Sequence, residues 1–200
     1  MLVREDTRGK CGQTVVVERE CERGEERGND NGMEREWREV REARPVKMEE
    51  EREARQMKAI WLDMDGTFVS LYEVEGWLDD LINHRTRPYK EAKPLISMSV
   101  FARMLNKLVR NGYTVNIVSW LSKDSNAEYD AAVEAVKRAW LAKHLPSVTF
   151  NRIEILPYGK PKSTVGTGIL FDDEERNRIE WKGIAYSNTE LLGKLKELAQ

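Results

Sequence analysis

Cysteine is nearly absent from this chain: Cys11 and Cys21 are the only two in 200 residues, and no Cys-x-x-Cys occurs. Histidine is as scarce, with His84 and His144 far from both cysteines. A zinc site built from cysteine and histidine needs four ligands in workable spacing, so that class is excluded and two free thiols are expected. Long apolar runs are missing too. No stretch approaches the roughly 18 residues that would span a bilayer, and the N-terminus lacks the basic-then-apolar layout of a secretory signal. Nor does either sign of charge dominate, since 33 Lys/Arg stand against 35 Asp/Glu for a net charge of −2. That balance offers no electrostatic basis for general nucleic-acid binding. The expectation is a soluble, cytoplasmic protein without a membrane partner.

The charge that is present is unevenly spread. Residues 1–56 hold 13 Lys/Arg and 16 Asp/Glu, whereas the remaining 144 residues hold 20 and 19. Only the second part has the apolar content to build a core. Residues 1–56 therefore read as a charged, flexible extension. Within 33–56, pairs such as Glu34–Arg38 and Arg38–Glu42 could support a solvated helix interrupted near Pro45. The working domain is expected over 57–200.

From residue 57 onward the pattern alternates between strands and helices. Ala59–Leu62 is a short apolar run of the buried-strand type. Residues 68–98 are irregular: Trp77, Leu78, Leu81 and Ile82 recur at helical spacing, and a loop holds Pro88 and Pro94. Val100, Phe101, Met104, Leu105, Leu108 and Val109 define an amphipathic helix stopped by Asn111-Gly112. A second strand runs from Tyr113 to Val118 and ends at Ser119. Ser125 and Glu128 suggest a capping box for a helix reaching about Lys143, with Val133, Val136 and Trp140 inward. Further strands are expected at Ile153–Leu156, Gly168–Phe171 and Gly183–Ala185. A short charged helix falls between the last two, and Ser187 with Glu190 caps a final helix. Such alternation implies a three-layer, Rossmann-like α/β domain with a parallel five-stranded sheet.

In a parallel sheet the carboxyl ends of the strands share one edge, where open α/β sheets place their ligands. Three strands end there in polar groups: Asp63 and Asp65, Ser119, and Asp172 with Asp173. Gly66 permits a sharp turn directly after the first acids. Closely placed carboxylates call for a cation, and oxygen-only ligands favour Mg²⁺. Lys160 and Lys162 stand in the loop before the fourth strand. Carboxylates, a hydroxyl and an ammonium together suit a phosphoryl group, whose transfer depends on positioning and charge neutralisation. The plainer alternatives are an Asp-Gly turn, and an acidic helix start at Asp172–Glu175.

Asp63-Met64-Asp65-Gly66-Thr67, the strand ending at Ser119, Lys162 and Phe171-Asp172-Asp173 occur in an order that resembles the haloacid dehalogenase-like superfamily of phosphohydrolases. The resemblance covers nearly all of residues 58–200 and implies strand order 3-2-1-4-5. It implies Asp63 as a nucleophile forming an aspartyl-phosphate, and Asp65 as general acid and then base. Asp63, the Asp65 carbonyl, Asp172 and Asp173 would hold Mg²⁺. Thr67, Ser119 and Lys162 would bind the phosphoryl oxygens, Lys162 being preferred to Lys160 for its spacing from Asp172 in nucleotidase-like members. Residues 68–98 occupy the place of a small cap.

Tyr72, Trp77, His84, Arg85, Arg87 and Tyr89 supply aromatic and cationic groups in that segment, and Trp120 follows Ser119 as a substrate contact. Aromatic faces stack on bases and arginines pair with phosphates. The substrate expected is thus a small phosphorylated metabolite. Either it is a nucleoside monophosphate, or it is a sugar or organic-acid phosphate. Transfer to an acceptor other than water uses the same residues, and a binding module that lost turnover is the non-enzymatic alternative. Trp77 and Trp120 packing into the core remains the simple structural reading, as does a surface or packing role for His84 and His144.

Overall fold

The structure is a computed structural model, and it describes residues 58–200. The readings for 1–56, namely the charged extension, the interrupted helix and the thiols of Cys11 and Cys21, lie outside the described residues. Among the described residues there are five strands: β1 (Ala59–Leu62), β2 (Thr114–Trp120), β3 (Arg152–Leu156), β4 (Ile169–Phe171) and β5 (Ile184–Tyr186). All pairings are parallel and the order is β3-β2-β1-β4-β5, with β1 at the centre. The domain is a three-layer, Rossmann-like α/β fold.

The period-two alternation of side chains along each strand divides the apolar residues between two faces. On one face Ile60, Leu62, Val115, Ile117, Ile169 and Phe171 form the main core. Three helices cover it: α3 (Met98–Arg110), α4 (Ala127–His144) and α6 (Leu191–Leu198), numbered after two short helices described next. In α3 the inward residues are Phe101, Leu105 and Leu108, while Val100 and Val109 of the expected stripe stay exposed. The opposite face is thinly covered. Trp61, Val118, Leu170 and Trp181 pack there, alongside the short helix α5 (Glu175–Glu180). Both indoles satisfy their N–H on the β4 approach, Trp61 on the Thr167 carbonyl and Trp181 on that of Gly168, each at 3.0 Å. No helix among the described residues is long and apolar enough to cross a membrane.

Several local expectations need correction. The Pro88 region is not a loop: α2 (Arg87–Glu91) follows α1 (Trp77–Ile82), with Pro88 in the first turn, where its missing N–H costs nothing. Strand β2 does not end at Ser119 but continues through Trp120. The cap of α4 is Asn126, whose side chain accepts from the Tyr129 N–H at 2.9 Å. Ser125 instead donates to Asp130, so no Ser125–Glu128 box forms. The box at Ser187 and Glu190 is present.

The two ends of segment 68–98 are stitched together. Ser70 N–H donates to the Lys93 carbonyl at 2.8 Å and Leu95 N–H to that of Phe68 at 3.0 Å. The segment thus leaves the sheet edge and returns to it at one point. Trp140 of α4 braces the return by donating to the Ala92 carbonyl at 2.8 Å.

Candidate active site

The carboxyl ends of β1 and β4 are joined one residue past the strands, because the Asp63 N–H donates to the Phe171 carbonyl at 2.9 Å. That bond sets Asp63 beside Asp172. Both carboxylates are buried, at 4% and 0% exposure. Lys162 enters between them and makes ion pairs of 2.7 Å to Asp63 Oδ1 and 2.6 Å to Asp172 Oδ2. Burial disfavours its ammonium, but the two flanking carboxylates outweigh this and hold its pKa above the ordinary lysine value. Lys160 is exposed. Its contribution is its carbonyl, which accepts from Trp120 Nε1 at 2.8 Å.

Thr67 clasps the two strand ends. Its hydroxyl accepts from the Asp173 N–H at 3.1 Å and lies 3.3 Å from Asp63 Oδ2 and 3.4 Å from Asp173 Oδ1. The turn before it demands glycine. Gly66 has φ of 77°, and a Cβ there would stand 2.2 Å from Asp173 Oδ2. Carboxylate oxygens of Asp63, Asp172 and Asp173 lie within 4.8 Å of one another.

Crowding of like charge leaves its mark on these groups. Burial first, then the neighbouring acids, raise Asp172 to about 6 and Asp173 to about 7. Asp65 is also raised, by burial above all, against the lowering effect of Lys137. Four carboxylates thus face two ammoniums, Lys162 and Lys137. The balance left over is what one divalent cation would neutralise, and an all-oxygen donor set fits Mg²⁺.

Sequence reasoning missed three contributors. Lys137, 1% exposed, donates from α4 to Asp65 Oδ2, to Ser119 Oγ at 2.9 Å and to the Trp120 carbonyl at 2.7 Å. Its signal was a lysine inside the buried stripe of Val133, Trp140 and Leu141. Asn177 of α5 donates to Asp172 Oδ1 at 3.0 Å. Its own Oδ1, buried, has no partner among the described residues, so the amide is turned to serve the carboxylate. Arg178 donates to the carbonyls of Asp172 and Asp173 at 2.8 and 2.6 Å, which fixes the turn that carries both acids.

Asp63, Asp65, Ser119 and Lys162 all line a cavity of about 490 Å³. Two aromatic pairs belong to its walls: Tyr72 with Trp77, ring centroids 5.1 Å apart, and Trp120 with Tyr158 at 5.2 Å. Trp77 therefore sits in the wall and not in the core. Tyr89 lines the cavity, but His84, Arg85 and Arg87 do not. Arg85 and Arg87 are spent on the buried Asp80, at 3.1 and 2.5 Å. His84 stacks on Tyr129 at 4.9 Å and meets the Asp124 carbonyl at 3.0 Å, and His144 stacks on Trp140 at 4.2 Å. Both histidines serve packing. At the rim stand Lys123, Asp124 and Glu174.

No family model matches the chain, and no curated protein does. Among solved structures, it is similar to the D,D-heptose 1,7-bisphosphate phosphatase of Burkholderia thailandensis. That likeness has a TM-score of 0.38 and 15% identity, over 60% of this chain and 68% of the other. A likeness of that degree assigns no activity to this chain.

Proposed function

We propose that this protein is a Mg²⁺-dependent phosphomonoester hydrolase of the haloacid dehalogenase-like superfamily, working through an aspartyl-phosphate. The observation that carries the reading is the Asp63–Lys162–Asp172 arrangement, whose Asp63 and Lys162 line the cavity, with Asp173 completing a three-carboxylate cluster. Acidic groups from two strands meet there beside a hydroxyl and an ammonium, which is the equipment phosphoryl transfer requires.

In this scheme an Asp63 oxygen attacks phosphorus while the ester P–O bond breaks, and Asp65 gives its proton to the departing oxygen. Its raised pKa suits that donor role. Asp65, now a carboxylate, takes a proton from the water that attacks the aspartyl-phosphate, and inorganic phosphate leaves. Asp63, Asp172, Asp173 and the Asp65 carbonyl would hold Mg²⁺. When bound, the ion supplies positive charge to the phosphoryl oxygens. Ser119 and Lys162 bind those oxygens from the protein side, and Thr67 keeps the two strand ends in register. Segment 68–98 acts as the small cap, with Tyr72, Trp77 and Tyr89 facing the substrate.

The walls favour a flat leaving group, which supports a nucleoside monophosphate with its base against Trp120 or the Tyr72–Trp77 pair. With Arg85 and Arg87 turned away, the rim cation is Lys123, and Asp124 and Glu174 offset it. Such a rim favours one phosphoryl group over two. The protein should hydrolyse p-nitrophenyl phosphate with Mg²⁺ and lose the activity in excess chelator. Asp63→Asn should abolish turnover, and nucleoside monophosphates should surpass sugar phosphates in a phosphatase panel. Activity that survives chelation would overturn the metal assignment, and preference for sugar phosphates would overturn the nucleotide.

A further inference from the structure

Lys137 is a buried cation to which the scheme above gives no task. An ammonium carries three N–H donors and no acceptor. Those of Lys137 are committed to Asp65 Oδ2, Ser119 Oγ and the Trp120 carbonyl, and the Tyr89 ring lies 5.1 Å from Nζ. Nothing remains to donate to a phosphoryl oxygen. Ser119 is in the opposite position. Its oxygen accepts from Lys137, its own O–H makes no hydrogen bond among the described residues, and it lines the cavity. Asp65 is held by one oxygen, and its Oδ1 accepts no hydrogen bond among the described residues.

We propose that Lys137 is a positioning residue for phosphoryl transfer. By donating to both groups, it turns the Ser119 hydroxyl outward as a donor to the phosphoryl group and holds Asp65 so that its free oxygen meets the leaving group. Lys137 itself neither gives nor takes a proton. The inference rests on the phosphomonoesterase reading and divides labour between two lysines: Lys162 for charge at phosphorus, Lys137 for orientation.

Two esters separate orientation from general damage. A p-nitrophenolate departs with little help from an acid, whereas an alkoxide needs the Asp65 proton. Lys137→Met, which keeps an unbranched side chain one atom shorter and removes the ammonium, should lower kcat/KM for a primary alkyl phosphate by about a hundredfold, and for p-nitrophenyl phosphate by about tenfold or less. Calorimetry with inorganic phosphate supplies a readout without turnover. S119A and K137M should each weaken binding, and the double variant should be within about twofold of S119A, as expected when one residue acts through the other. Equal losses on both esters, or additive losses of phosphate affinity, would overturn the role of Lys137. Should K137M fail to fold, K137Q carries the same comparisons. A wild-type protein inert on every phosphomonoester with Mg²⁺ present would overturn the phosphatase reading itself, a different result from an active enzyme with equal losses.

Discussion

Lys160 and Lys162 are two residues apart, yet their surroundings differ completely. Lys162 lies between two buried carboxylates, while Lys160 is exposed. Replacing Lys162 with Met would leave Asp63 and Asp172 facing each other without a counter-charge. Breaking a buried pair in this way costs about 3–5 kcal/mol, and the loss of charge at phosphorus should lower kcat by about a hundredfold or more. Lys160→Met should stay within about 0.5 kcal/mol, as exposed substitutions do. Urea unfolding and aryl phosphate hydrolysis check both, and a silent K162M would count against the site. At this scale the acids were legible because they crowd into short stretches at strand ends. Lys137 was not, since it lies 72 residues from Asp65 on another element, and Asn177, though only five residues after Asp172, carries no signal of its own within a short charged helix. Only the odd placement of a lysine in the apolar face of α4 hinted at the former.

At the scale of elements, the strands were legible from their apolar runs, and their ends shifted by a residue or two. The stretch between β1 and α3 was harder, because α1 and α2 are short and their packing is decided by distant partners. Asp80 gathers Arg85 and Arg87, and Tyr129 of α4 donates to the Arg85 carbonyl at 3.1 Å. No local pattern announces such contacts. Trp140 makes a further such link, by its buried bond to the Ala92 carbonyl. Trp140→Phe keeps most of the ring packing and leaves that carbonyl without its donor. The expected loss is about 1–3 kcal/mol, read from denaturant midpoints with an unchanged slope. An unaltered midpoint would show that the clasp holds nothing.

For the molecule as a whole, the crowded acids tie stability to pH and to metal. Asp172 and Asp173 have pKa values raised from 3.8 to about 6 and about 7, so between those limits the folded chain binds protons that the unfolded chain has released. Stability attributable to them is therefore present at low pH and lost as pH rises through the folded values. His144 works in the opposite direction, since burial and then Lys143 lower its pKa and favour the neutral form. The chelated protein should melt at progressively lower temperature from about pH 4 to about pH 7, the window those shifts define. Asp172→Asn with Asp173→Asn should flatten the slope, leaving the contribution of Asp65 in the same direction and that of His144 in the opposite one. Mg²⁺ requires the same carboxylates unprotonated, so the stabilisation it brings should grow with pH over that window. Differential scanning fluorimetry with chelator or with Mg²⁺ at each pH gives both curves. A chelated protein that gains stability as pH rises would show that these acids do not share an uncompensated charge, and the case for a cation among them would fail with it.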